Sequence, residues 1–343
     1  MTTYKIALLP GDGIGPEQTQ ATCAVLEAVE KKIGLHLKIT ELEGGDGCLE
    51  KNGVALPDST IEAIRNSDVC LKGPVGESAA EVVVRLRLMF DLYVNLRPVK
   101  TYPNVPSIKP NIDFVIVREN TEDLYKGLEF MVNPDSAVAL RVITRGGSKR
   151  IAEFAFNLAR QREKKLTAVH KSNIMQMTDG LFSETVRTVA KNYPDVKYSE
   201  SYVDAAAMQL IKSPQTFDVI LTPNLFGDIL SDEAAQLVGG LGMTPGANIG
   251  KDFALFEPVH GSAPDIAGKQ IANPSSMILA SHLMFNWLGR TRRDELCSYA
   301  AEAVDRALVK TLRDGILTPD LGGNKKTYEV GAAVAERIQP KKG

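Results

Sequence analysis

A chain of 343 residues, 44% apolar and 24% charged, can bury a substantial core; this excludes a disordered polypeptide and leaves room for two lobes or one large α/β unit. Its 40 basic and 42 acidic side chains are interspersed and sum to −2, which leaves no electrostatic footprint for nucleic acid or an anionic membrane. The four cysteines, Cys23, Cys48, Cys70 and Cys297, lack the close spacing of zinc or redox motifs, and no signal segment or long apolar run is present, so the expectation is a reduced, cytoplasmic protein.

Residues 4–9 read as a strand, followed by the turn Gly11-Asp-Gly-Ile-Gly15 and a helix over 16–32 with proline in its first turn. The turn invites a phosphate-binding reading. Its last glycine follows one residue where the dinucleotide fingerprint needs two, however, and a plain tight turn explains it as well. The segment 79–90 has a helical period that puts Val83, Val84 and Arg87 on one face. Arg97, at the end of the next strand, and Arg118, after the apolar strand 114–117, can converge with Arg87 on an anion, because guanidinium forks bind carboxylates bidentately. Taken singly, each is equally an ordinary surface ion-pair residue.

Tyr125 lies in the polar run after strand 114–117; it is ordinarily a packing residue and needs a cationic neighbour to act as an acid at neutral pH. Residues 137–144 are strand-like on both faces and follow the Asn133-Pro134-Asp135 turn, a pattern that an inter-subunit arm explains. Ser148 is placed to cap a helix carrying Ile151, Phe154, Ala155, Leu158 and Ala159. Lys171, which could be that cation, ends another strand, where desolvation or nearby cations would make it a base, although a solvated charge is the plainer reading.

After the apolar strand 217–221, a helix beginning near Gly227 sets Asp228 and Asp232 one turn apart, able to share a cation. All-oxygen ligation favours Mg²⁺ or Mn²⁺, with Asp204 as a third ligand; helix-dipole and capping roles are the competing reading, and fit Asp228 better than Asp232. The irregular run 256–268 holds His260 and Asp265, and a carboxylate at a ribose would accept from its hydroxyls and repel a 2′-phosphate. Residues 296–308 keep a helical period until Gly315 stops it.

Five runs occur in one order: Gly11-Asp-Gly-Ile-Gly-Pro-Glu17, Val117-Arg-Glu-Asn-Thr-Glu122, His170-Lys-Ser-Asn173, Asn224-Leu-Phe-Gly-Asp-Ile-Leu-Ser-Asp232 and Glu257-Pro-Val-His-Gly-Ser-Ala-Pro-Asp-Ile-Ala-Gly268. With them the chain resembles, over essentially its whole length, the β-decarboxylating dehydrogenases of isopropylmalate, isocitrate, homoisocitrate and malate or tartrate. The resemblance implies a two-lobed α/β fold with a large mixed sheet flanked by helices, distinct from the Rossmann fold. Residues 1–98 plus 240–343 would form the cofactor lobe, and 99–239 the lobe with the metal site and dimer interface. It further implies a homodimer with shared active sites. Arg87, Arg97 and Arg118 would hold the carboxylates of a substituted malate, while Tyr125 and Lys171 of the partner subunit would move protons. Asp228, Asp232 and Asp204 of the partner subunit would bind Mg²⁺ or Mn²⁺, and His260, Gly261, Asp265, Ile266 and Asn273 would hold NAD.

Members differ in the group on C3, read by the segment before Arg87. Isocitrate enzymes place Ser and Asn there, whereas this chain has Glu81-Val-Val-Val84. Val83 and Val84, extended by Ile174, would form an apolar wall; burying an isopropyl group there contributes about 1.5–3 kcal/mol, while a third carboxylate would lose solvation without compensation. The expectation is NAD-dependent oxidative decarboxylation of 3-isopropylmalate to 4-methyl-2-oxopentanoate, a step toward leucine. Homoisocitrate (through Arg85), isocitrate, D-malate and tartrate are the alternatives, and a catalytically silent regulatory subunit is the different-class alternative. Retention of every expected site residue argues against the silent subunit.

Overall fold

Parallel strands that are apolar on both faces need helices on either side, and the strand pattern of this chain builds such a layer. The structure, a computed structural model, describes residues 2–341. Its strands are β1 (Thr3–Leu9), β2 (His36–Glu41), β3 (Val69–Lys72), β4 (Val94–Lys100), β5 (Asp113–Glu119), β6 (Glu129–Asn133), β7 (Ser136–Ala139), β8 (Lys165–His170), β9 (Lys197–Tyr202), β10 (Val219–Thr222), β11 (Pro245–Ile249) and β12 (Ala254–Pro258). Ten of them form one mixed sheet in the order β2-β1-β3-β12-β11-β4-β5-β10-β8-β9. At its centre β11 runs antiparallel to β12 and β4, and β4 antiparallel to β5; the outer pairings are parallel. Strands from both ends of the chain therefore occupy one half of the sheet, and strands from the middle the other. This is the α/β architecture expected, and its antiparallel centre sets it apart from a Rossmann sheet.

The helix Ser275–Arg292 packs on β11 and β12, with Glu295–Arg313 behind it, while Arg145–Arg160 packs on β5, β8 and β10. Helix Asn224–Gln236 lies against β4, β5 and β10. Among the described residues no helix is long and apolar enough to cross a membrane. The cysteines are all free thiols.

Three local details differ from the sequence reading, and a fourth decides between its alternatives. Helix Arg145–Arg160 is capped by Thr144, whose Oγ1 accepts from the Gly147 amide at 2.9 Å; Ser148 lies inside the first turn and donates back to the Thr144 carbonyl. The extended run expected over 137–144 is instead a short hairpin of β6 and β7 standing off the main sheet. Helix Asn224–Gln236 starts one turn before Gly227, since Pro223 occupies its N-cap and the glycine serves packing instead: a Cβ at Gly227 would lie 2.5 Å from the Arg118 side chain. The Gly11–Gly15 turn spends its amides internally, Asp12 on the Pro74 carbonyl and Ile14 on that of Ser262, both at 2.8 Å. Gly13 sits at φ +56° with Ser262 O 1.9 Å from where a Cβ would be, so the turn is a brace for the 260 loop.

Candidate active site

Antiparallel pairing of β4 and β5 sets Asn95 opposite Arg118, which puts Arg97, two residues along, on the same face. Arg97 is thus mid-strand rather than at a strand end. The segment before Arg87 is a wide π-helical turn, Ala80–Val84, leading into the short helix Arg85–Met89. Val83, Val84, Arg87, Arg97, Asp228, His260 and Gly261 line one cleft of about 320 Å³, together with Lys72 and Glu257. The three arginines are 7%, 5% and 1% exposed, values that rule out solvated surface charges. Each still has a buried N–H without a partner: Nε of Arg87, Nη1 of Arg97 and Nη2 of Arg118. Burial and mutual repulsion lower the pKa of Arg97, and burial brings Arg118 down to about 10. Buried, mutually repelling donors with spare hydrogens form a receptor for carboxylates.

Fixed acids hold this cationic cluster in place. Glu257 accepts from Arg87 at 3.2 Å and Asn248 at 2.7 Å and pairs with Lys72 at 3.0 Å. Burial alone would raise its carboxyl, but Lys72 and Arg87 outweigh that and hold it well below the usual carboxylate range. Arg97 donates to Asn95 at 2.6 Å, and the Asn95, Asn120 and Asn248 amides bond to one another behind it. On the other flank, helix Asn224–Gln236 delivers Asp228 to Arg118 Nη1 and to the Tyr125 hydroxyl, with Arg118 5.0 Å above the Tyr125 ring. Within this chain the cation beside Tyr125 is therefore Arg118 rather than Lys171. Burial nonetheless prevails, aided by donation to Asp228, and the phenol is raised; Tyr125 is held as a proton donor. Asp228 is itself lowered, because Arg118 and Tyr125 outweigh its desolvation. Asp232, one turn on, is raised by burial and by the charge of Asp228.

Lys171 and Asp204 stand apart from this cluster, paired with each other at 2.6 Å, with Asp204 exposed. Ile174 is 70% exposed and does not line the cleft of Val83 and Val84 within this chain. Among the described residues no three His, Cys, Asp or Glu side chains converge as a metal site in the single chain. What joins the two groups is Arg141, which the sequence reading did not single out. It grips Asp123 through Nε at 2.5 Å and Asp179 through Nη1, and both carboxylates are fully buried. Asp123 also accepts the Leu225 amide at 3.1 Å, and Asp179 the Lys171 amide at 2.6 Å. One guanidinium thereby positions the backbone next to Tyr125, Lys171 and the Asp228 helix. Arg141→Lys keeps the charge but loses the fork, so we expect a loss of about 1.5–3 kcal/mol in urea unfolding together with reduced turnover. Unchanged unfolding would mean that the fork is dispensable.

Beside the cleft, His260 is bonded through Nε2 to Gln18 at 3.1 Å, and Gln18 donates to the Asn273 carbonyl at 2.8 Å. Burial lowers the His260 pKa, favouring the neutral ring. Asn273 is buried and donates to Asp320 at 3.1 Å, whereas Asp265 is exposed and Ile266 half-buried on the loop beyond Gly261. Lys72 and Gln18 were also missed. The available signal was a lysine closing the otherwise apolar strand Val69–Lys72, where a charge at 2% exposure requires a buried acid.

Sequence comparison matches residues 5–334 to a family described as isocitrate/isopropylmalate dehydrogenase. The chain belongs to this family. Its members therefore supply the frame for the cleft: the chain is a dehydrogenase with the isocitrate/isopropylmalate dehydrogenase fold. It is 51% identical over 340 residues to a 3-isopropylmalate dehydrogenase of Methanothermobacter thermautotrophicus, covering 99% of this chain and 100% of that one. It is 50% identical to a 3-isopropylmalate/3-methylmalate dehydrogenase of Methanocaldococcus jannaschii, covering 98% and 99%. Among solved structures of the family, an isocitrate dehydrogenase from Methylococcus capsulatus superposes with a TM-score of 0.90 at 44% identity, covering 98% and 99%.

Proposed function

We propose that this chain oxidises and decarboxylates 3-isopropylmalate to 4-methyl-2-oxopentanoate with NAD and Mg²⁺ or Mn²⁺, in the cytoplasm and on the route to leucine. The observation that carries the reading is the cleft in which Arg87 and Arg97, backed by Arg118 behind Asp228 and each with a spare N–H, line the same walls as the apolar side chains of Val83 and Val84. Arg87, Arg97 and Arg118 hold the two malate carboxylates and orient C2 and C3. Lys171 of the partner subunit takes the C2 hydroxyl proton. Tyr125, kept protonated by burial, returns a proton to C3 after CO₂ leaves.

The donor set fits a hard divalent cation, since Asp228 and Asp232 lie one turn apart and Asp232 feels the charge of Asp228. When bound by Asp228, Asp232 and Asp204 of the partner subunit, the cation would polarise the C2 oxygen, and NAD held by His260, Gly261, Asp265, Ile266 and Asn273 would accept the hydride. A homodimer is supported by the stand-off hairpin, where Phe130, Met131 and Val132 are 55–60% exposed, and by Met208, Ile211 and Ile229 at 57–64% on neighbouring helices. Within it, residues 1–98 plus 240–343 would be one lobe and 99–239 the other, in keeping with the two halves of the sheet.

Arg85 bears on the tricarboxylate alternatives. It points toward Asp58 at 3.8 Å, half exposed, and does not line the cleft, so among the described residues the cations there are Arg87, Arg97 and Lys72, the last already paired with Glu257. Comparison of kcat/KM for 3-isopropylmalate, isocitrate, homoisocitrate, D-malate and tartrate, each with NAD and NADP, tests the assignment. We expect 3-isopropylmalate with NAD to lead; an isopropyl group buried on valine should favour it over D-malate by at least about tenfold. Dominance of a tricarboxylate would overturn the apolar-wall reading, and no turnover would point to a silent subunit.

A further inference from the structure

Alternation along the central strands gives the sheet a second cavity, back to back with the substrate cleft. Asn95, Arg97, Asn248 and Glu257 point toward the cleft, whereas their sequence neighbours Leu96, Ala247, Ile249 and Phe256 floor a larger cavity of about 590 Å³ on the opposite face. Phe154 and Leu158 of helix Arg145–Arg160 form one wall, and Leu283 and Trp287 of helix Ser275–Arg292 the other. The volume and apolar lining are those of small-molecule sites, commonly about 300–1,000 Å³.

The rim is cationic. Lys251 and Arg290 are exposed there and make no ion pair or hydrogen bond among the described residues. Arg150 projects from one wall, over the Tyr93 ring at 4.6 Å, and has a buried Nε without a partner. The acid at this rim, Glu153, already pairs with Lys149 at 3.8 Å. An apolar chamber with two unpartnered cations, Lys251 and Arg290, at its mouth is complementary to a molecule with an apolar body and one anionic end.

We propose that this cavity binds a small monocarboxylate with a medium-length or branched apolar chain, and that its occupancy is coupled to the substrate cleft. Both cavities share β4, β11 and β12, and a ligand touching Leu96 and Phe256 presses on the residues adjoining Arg97 and Glu257. Arg150 adds a second route, for its Nη2 donates to Thr121 at 2.8 Å and its Nη1 to Asp91 at 2.7 Å, next to the run that leads to Tyr125. The binding half is independent of the function proposed above; the coupling half rests on that reading of the cleft.

The chain has one tryptophan, Trp287, and it lines this cavity 6.3 Å from Phe256, so occupancy can be read directly from intrinsic fluorescence of the full-length protein. Titration with octanoate should give a saturable change, with octylamine at least about tenfold weaker. The double variant Lys251→Glu, Arg290→Glu should lose octanoate binding while keeping unliganded turnover, since neither residue lines the substrate cleft. No saturable response, equal binding of octylamine, or binding that survives the charge reversal would overturn the site. Saturating D-malate, its own binding verified by calorimetry, should change the octanoate affinity, because coupling between sites is reciprocal; an unchanged affinity would overturn the coupling.

Discussion

Lys171→Met is expected to lower kcat by about 10²–10⁴, the usual range for removing a positioned general base, with KM for the malate substrate changed far less. Lys171 lies outside the arginine cluster, paired instead with Asp204, so its removal leaves the carboxylate receptor intact. Tyr125→Phe should cause a comparable loss, because Asp228 and Arg118 hold that phenol against the arginine cluster. The separation of the two groups within one chain gives a sharper test. If Lys171 works across a dimer interface, co-expressed Lys171→Met and Tyr125→Phe chains form mixed dimers in which one site has both intact groups. About half of wild-type activity per mixed dimer is then expected from two inactive parents. If the sites were built within single chains, every site would lack one group and mixing would restore nothing. Activity of Lys171→Met within tenfold of wild type would remove the lysine from the proton transfer altogether.

The parts of this molecule that could be read from sequence were those governed by local period and local chemistry. The helix after Gly15, the one-turn spacing of Asp228 and Asp232, and the strand that places Lys171 follow from neighbours within a few residues. Arg87, Arg97 and Arg118 were recognisable as an anion receptor only jointly, since any one arginine in a sequence is compatible with a surface ion pair. What escaped the reading depends on contacts across long separations. The Lys72–Glu257 pair joins residues 185 positions apart, and the Asn95, Asn120 and Asn248 amides meet because β11 inserts between β12 and β4, an order no local pattern encodes. Arg141 looked like one more charge after a β-rich stretch; its importance comes from Asp123, on the loop after β5, and Asp179, in the first turn of helix Thr178–Ala190. The π-helical turn over Ala80–Val84 likewise has an ordinary helical sequence, with no local pattern that marks the wider form.

Glu257→Gln should be among the most destabilising single substitutions in the chain, about 3–5 kcal/mol at pH 7, because it removes the anion from a buried cluster and leaves the cations in place. Lys72 is 2% exposed and Arg87 7%, and Lys72 has no other carboxylate partner among the described residues. Gln preserves the shape and the capacity to accept a hydrogen bond, so the effect isolates charge from packing. The pH dependence fixes the cause. Glu257 has a folded-state pKa well below its unfolded value of about 4.3, so its contribution is fully present above that value and is lost as pH falls through the folded pKa. Urea unfolding of wild type and variant should therefore show the largest gap near neutrality, narrowing steadily below about pH 4.3. A gap that stays constant down to pH 3 would assign the loss to packing rather than charge. Turnover should fall as well, with KM for the malate substrate rising, since Glu257 orients the Arg87 fork that would receive its carboxylate. Restored stability without restored KM on adding Lys72→Met to the variant would separate the two roles, the lysine balancing the acid and the acid aiming the arginine.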